Sequence, residues 1–195
     1  MNRKSKIYLL SGVFWSLIFT SCGVFGKGSS KHALPPPLSA KIVKETILAC
    51  SRQVNVTTMS AITKHESNWR PYTIALNKTK SRLSRQPDNE KEAIATAKQL
   101  LSLGYNFDMG VAAINSKNLE NPALKREGIT IDNIFDTCTN VHAAEIILVD
   151  CFIRARARYG NERGALDASL SCYNSGNFLT GVRNGYVTKI YAAQQ

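Results

Sequence analysis

Residues 59–72, MSAITKHESNWRPY, hold a carboxylate whose neighbours invite acid–base chemistry. Met59, Ile62 and Glu66 stand three and four positions apart, so on a helix they share one face, and Trp69 continues the stripe. Pro71 is expected to stop that helix, because the residue before a proline is pushed out of the α region. A carboxyl group on an apolar stripe loses water, which disfavours its charged form and raises its pKa. A carboxyl group still protonated near neutral pH can protonate a sugar leaving oxygen. Spacing alone also fits an ordinary solvated glutamate on a helix surface. His65-Glu66 opens a zinc-protease HExxH pattern, but Trp69 occupies the second histidine position, which excludes that chemistry.

The rest of the chain must supply the elements that hold this carboxylate. A first helix is expected over residues 38–53, capped by Ser39, with Asn55 or Thr57 capping the helix of Glu66. Residues 73–86 are polar and basic and read as a loop or lid. Asn89 followed by Glu92 starts another helix, which ends at Gly104. Asp108 and Gly110 fall at an expected turn. Asn140 is expected to cap the longest helix, residues 141–159, with a buried stripe through Ala144, Ile147, Leu148, Cys151, Phe152 and Ala155 and with Gly160 closing it. A short helix follows over residues 164–172, then the turn signal Tyr173-Asn174-Ser175-Gly176-Asn177 and a last helix around residues 186–191. No strand pattern is sustained enough for a large sheet. The fold class is therefore mainly α, with little or no β-sheet.

Three stretches organise the 195 residues. Residues 1–21 read as a secretory signal, with Arg3, Lys4 and Lys6 ahead of a short apolar run. Phe19-Thr20-Ser21-Cys22 resembles a bacterial lipobox with Phe in the usual Leu slot. Cys22 would then be lipidated, and cleavage without lipidation would instead release a soluble protein. Residues 22–37 form a Gly/Ser/Pro linker ending in Pro35-Pro36-Pro37, an extended spacer. Residues 38–195 form a single domain, large enough to bury a real core.

The formal charge is +11, and removing the three basic residues of the leader leaves +8. Such a surface suits nucleic acid, anionic lipid or an acidic cell-wall polymer. No basic run with interleaved aromatics, finger or RNP pattern is present, which argues against nucleic acid. Beyond Cys22 there are four cysteines, Cys50, Cys138, Cys151 and Cys172. In an exported protein an even set points to disulfides, with three pairings open, of which we favour Cys50–Cys138. None forms a CxxC pair, so no zinc site is expected, and no other metal or cofactor is indicated.

Several pieces, in order, carry a family resemblance. They are Glu66-Ser67 at a helix end, Asn106-Phe107-Asp108-Met109-Gly110 running into Val111 to Asn115, Phe135-Asp136-Thr137-Cys138-Thr139-Asn140, and Tyr173-Asn174-Ser175-Gly176-Asn177 followed by Asn184-Gly185-Tyr186-Val187. Together they resemble the lytic transglycosylases of glycoside hydrolase family 23, which are lysozyme-like, and in particular the branch that accompanies type IV secretion and conjugation systems. The resemblance implies a helical domain with a substrate groove and a peptidoglycan substrate, cut at the MurNAc–GlcNAc β-1,4 bond to leave a 1,6-anhydro-MurNAc end. It implies Glu66 as the catalytic acid/base and Ser67 as the residue that steadies it. Ile114 and Asn115 would line the sugar groove. Tyr173 and Asn174 would lie near the glutamate, and Tyr186 would help hold it.

The family's usual Gly-Leu-Gly/Met-Gln-Ile reads here Gly110-Val111-Ala112-Ala113-Ile114, so a polar glycan contact is absent at Ala113. Cys172 stands where the family has Ala. Asp108 is the only nearby motif acid that could act as a second carboxylate, and a turn or cap role is favoured for it. The implied setting is periplasmic, with membrane contact only through a lipid on Cys22 and with secretion-system components as partners. A catalytically weak peptidoglycan-binding scaffold of the same fold is the second reading, and a basic exported nucleic-acid binder the third.

Overall fold

Ser39 starts the first helix: its side chain accepts the Ile42 N–H, and helix α1 runs Ala40–Cys50 with Val43 and Ile47 inward. The computed structural model describes residues 34–77 and 83–194. The expected signal segment, Cys22 and the basic residues Lys78, Lys80 and Arg82 lie outside the described residues. Asn55 caps helix α2, Val56–Ser67, by accepting the Thr57 N–H.

Helix α2 stops four residues before Pro71. Asn68 takes a left-handed conformation at φ 53°, its N–H bonds back to the Lys64 and Thr63 carbonyls, and Trp69 follows at φ 61°. The asparagine, not the proline, therefore ends the helix. Trp69 lies beyond the helix and folds back on it, with its indole N–H donating to the Ser60 carbonyl at 3.3 Å and Lys64 Nζ 4.2 Å from the ring centroid.

Part of the expected loop over residues 73–86 is a strand, β1, Ile74–Leu76. It pairs antiparallel with β2, Phe107–Met109, which pairs with β3, Ile114–Asn115. These strands are too short to produce an alternation legible in sequence. Between β1 and β2 lies helix α3, Glu90–Ser102, capped by Asn89, with Ala93, Ala97 and Leu100 buried. A 3-10 turn, Ser116–Glu120, and a short helix α4, Pro122–Arg126, follow the sheet. Sequence patterning does not anticipate either, since one turn of helix has no periodicity.

Helix α5, Thr137–Tyr159, is the mast of the fold, and Asp136 caps it. Asn140 lies one turn inside, not at the cap, because its fully buried side chain is used elsewhere: it accepts the Ala112 N–H and donates to the Met109 and Ile134 carbonyls. Gly160 closes α5, and α6, Glu162–Ser175, packs back along it. Tyr173, Asn174 and Ser175 form the last turn of α6, so the expected turn begins only at Gly176, whose φ is 74°. Helices α7, Thr180–Arg183, and α8, Tyr186–Ala192, complete the described chain.

One apolar cluster joins α1, α3, the sheet and the first half of α5, including Ile47, Met59, Leu100, Phe107, Phe135 and Ala144. A second joins α2, α5, α6 and α8 through Ile62, Leu148, Leu170, Tyr186 and Ile190. Helix α2 contributes to both, and Tyr173 packs against both. Glu145, only 2% exposed, pins the α1–α2 connection by accepting the Ser51 hydroxyl at 2.8 Å and the Gln53 and Val54 N–H groups. Burial pushes its carboxyl group up, but these donors outweigh that effect and hold it below the usual range.

Two disulfides join α5 to its neighbours, Cys50–Cys138 and Cys151–Cys172. The first is the favoured pairing. The second gives the stripe residue Cys151 a covalent role and supplies the reason for Cys172 at an alanine position. Cys50 and Cys138 are 88 residues apart, so their bond removes a large loop from the unfolded ensemble. Replacing that pair by alanine should cost about 2–4 kcal/mol in urea unfolding. An unchanged midpoint would mean the bond does not form.

Candidate active site

Glu66 sits in the last full turn of α2, with Ile62 one turn before it inside the second cluster. Its Oε1 accepts a 2.7 Å hydrogen bond from the hydroxyl of Tyr186, the first residue of α8. Tyr186 is 2% exposed, and the His65 ring stands edge-on to it at 5.1 Å between centroids. Burial pushes the Glu66 carboxyl group up to about 7. The Tyr186 hydrogen bond pulls the other way, and the charge of Asp108 adds to the rise. The expectation of a desolvated acid on an apolar stripe thus matches the site's electrostatics. Burial, with the neighbouring carboxylate, pushes the Tyr186 hydroxyl well above its ordinary range, so it stays a donor.

Tyr186 favours the carboxylate form of Glu66, because it donates to that form. In Tyr186→Phe the Glu66 pKa should therefore rise above about 7. The alkaline limb of any Glu66-dependent activity would move to higher pH, and an unmoved limb would discount the hydrogen bond.

The turn between β2 and β3, residues 110–113, is held from four directions. Tyr173 donates to the Ala112 carbonyl at 2.7 Å, and Ser67 to the Val111 carbonyl at 2.7 Å. Asn140 Oδ1 accepts the Ala112 N–H, and the Gly110 N–H reaches the Thr73 carbonyl. Ser67 also accepts the Arg70 N–H at 3.1 Å, so its hydroxyl joins the helix end to this turn. Ala113 adopts φ 53°, a left-handed conformation that a side chain rarely takes.

These pieces border a groove of about 750 Å³ lined by Glu66, Asp108, Asn115, Tyr173, Asn174 and Arg154, among others. Ile114 is buried at 1% exposure and also borders it. Asn174 is exposed, and its Oδ1 accepts from Asn184 Nδ2 at 3.0 Å. Asp108 is a strand residue, not a turn or cap: it pairs with Ala75 and Asn115, and its side chain lies in the groove.

Sequence reasoning missed Arg154, which pairs with Asp150 at 2.8 Å and approaches Cys172 Sγ at 3.3 Å. It also missed the amide of Asn77, and it gave no role to Asn106 within the 106–110 motif. The spacing of Arg154 three residues after Cys151 becomes a signal only once the second disulfide is known. A smaller, apolar cavity of about 300 Å³, lined by Leu148, Phe152, Leu170 and Tyr191, has no Glu66 in its wall. Among the described residues no cluster of three metal-ligating side chains occurs, and no helix is long and apolar enough to cross a membrane.

Fold and groove together define a mainly helical, lysozyme-like domain with a sheltered carboxyl group in a polar cleft. Residues 46–189 match the family model described as "Transglycosylase SLT domain", and the chain belongs to that family. It is 39% identical over 150 residues to the "Type IV secretion system protein virB1" of Brucella suis, which covers 74% of this chain and 60% of that protein. It is 30% identical over 163 residues to "Protein virB1" of Rhizobium radiobacter, covering 84% and 65%, and 29% identical over 159 residues to that of Agrobacterium fabrum, covering 82% and 62%. The chain thus spans less than two thirds of the length of these relatives. No solved structure matches.

Proposed function

We propose that this chain is a peptidoglycan lytic transglycosylase that opens the cell wall locally for a type IV secretion or conjugation apparatus. Glu66 gives its proton to the oxygen of the MurNAc–GlcNAc β-1,4 bond. The 6-hydroxyl of the same muramyl sugar then attacks C1 and returns its proton to Glu66, which closes the 1,6-anhydro ring without water. One group serves as acid and then as base, and a pKa near the working pH suits both steps. Tyr186 orients the carboxyl group. Ser67 and Tyr173 fix the 110–113 turn beside it, and Ile114, Asn115 and Asn174 border the glycan path. The observation that carries this reading is Glu66 in the wall of a polar groove, held by the Tyr186 hydroxyl at 2.7 Å, and burial that raises its carboxyl group supports it.

The secretion role rests on the name carried by the Brucella relatives. Export, with or without a lipid on Cys22, is part of the same proposal. The groove has an apolar side chain at Ala113, where the family usually has Gln. That feature favours a second reading, a glycan-binding scaffold of low activity. Incubating the purified protein with peptidoglycan and measuring anhydro-muropeptides by mass spectrometry separates the two. Anhydro ends support the enzyme, and binding without them supports the scaffold.

A further inference from the structure

The carboxylate of Asp108 is held by two amides, Asn115 in β3 and Asn77 just after β1, which Asn106 ties together. Asn115 Nδ2 donates to Asp108 Oδ1 at 2.6 Å and to Asn106 Oδ1 at 2.7 Å. Asn77, directly after β1, hydrogen-bonds Asp108 and donates to Asn106 Oδ1 at 3.3 Å. Amides orient a carboxylate and favour its ionised form without cancelling its charge, as a lysine or arginine would. That charge is felt across the groove, since it raises both Glu66 and the Tyr173 hydroxyl. The other charged or titratable groups lining the groove are Lys117 beside the sheet and Asp150 and Arg154 on α5, and the last two pair with each other.

We propose that Asp108 is a second working carboxylate in the groove, and that its negative charge stabilises the cation developing on the sugar ring as the glycosidic bond breaks. This rests on the lytic transglycosylase reading. When Glu66 protonates the leaving oxygen, the electron pair of the C1–O bond departs with that oxygen and the ring carries positive charge. The muramyl 6-hydroxyl then bonds to C1, and its proton goes to Glu66. Asp108 exchanges neither proton nor bond. A fixed charge aimed at a developing opposite charge needs no reorganisation during the reaction. Burial pushes Asp108 up and the amides pull it down, with a net rise, so the charge it contributes is lost on the acid side. The two carboxyl groups then set a bell-shaped profile, with Asp108 ionised on one limb and Glu66 protonated on the other.

The test compares the full chain with Asp108→Asn and Asp108→Glu, measuring anhydro-muropeptide release from purified peptidoglycan across pH and checking each fold by thermal melting. In Asp108→Asn, kcat should fall roughly 100-fold. KM should stay close to wild type, the acid limb should vanish, and the alkaline limb should move to lower pH. Asp108→Glu, which keeps the charge, should recover part of the loss. Should the asparagine variant not fold, Asp108→Ser with added formate carries the test, and restored turnover supports the role. A wild-type kcat with both limbs intact in Asp108→Asn overturns it, as does a loss confined to KM or a serine variant indifferent to formate. An active wild type with an indifferent Asp108 defeats this inference alone. A wild type that releases no anhydro product defeats the enzyme reading and this role together.

Discussion

Glu66→Gln is expected to lower glycan cleavage roughly 1,000-fold, within the range typical of a lost general acid. Glutamine matches the shape of glutamate and can keep the Tyr186 hydrogen bond, so the groove should survive while the transferable proton is lost. The same substitution has a second expected effect, on stability. The Glu66 pKa is about 7 in the folded protein against 4.5 for the ordinary side chain. Between those values the native state keeps a proton that the unfolded chain has released, so the stability contribution of this group falls as pH rises through that window and stays lost above it. The loss is roughly 3–4 kcal/mol at most. Glutamine has no charge to desolvate. The variant should therefore resist urea better than wild type above pH 7, with that advantage disappearing below pH 4.5. Equal stability across the whole range would show that Glu66 is not desolvated. Undiminished cleavage would remove it from the chemistry.

Gly110→Ala should be strongly destabilising, costing about 4–6 kcal/mol. Gly110 has φ 77°, where a Cβ is strained by about 1–2 kcal/mol. The larger part comes from position. A Cβ there would lie 2.2 Å from Asn140 Nδ2 and 2.6 Å from its Cγ. Asn140 is wholly buried, so it cannot swing out to solvent, and displacing it breaks its bonds to Ala112, Met109 and Ile134. Buried polar groups left without partners cost about 1–3 kcal/mol each. Since the turn that Asn140 holds also receives Ser67 and Tyr173, cleavage should fall along with stability. A urea midpoint within error of wild type would show that the turn yields more easily than this packing implies.

The helical character of the domain was legible because long amphipathic segments and their caps leave strong marks. Ser39, Asn55, Asn89 and Gly160 all act where the chain pattern places them. The environment of Glu66 was legible for a similar reason, since three- and four-residue spacing fixes which side chains share its face. Asn140 misled because a capping residue and a buried cross-linking amide look alike in one dimension, and only the 110–113 turn tells them apart. Asp108 misled in the same way. Aspartate two residues before a glycine reads as a turn, whereas the antiparallel partner that makes it a strand residue lies more than thirty positions back at Ala75. Arg154 and the Cys151–Cys172 bond were hidden because both depend on α6 folding back along α5, a tertiary fact without a local signature.

Each sulfur bridge encloses its own stretch of chain, between cysteines 88 positions apart in one case and 21 in the other, and the two stretches do not overlap. A protease that clips the backbone once inside either ring leaves both halves covalently attached. Such a nicked molecule would run as a full-length band on a denaturing gel and fall into two fragments only after a thiol is added.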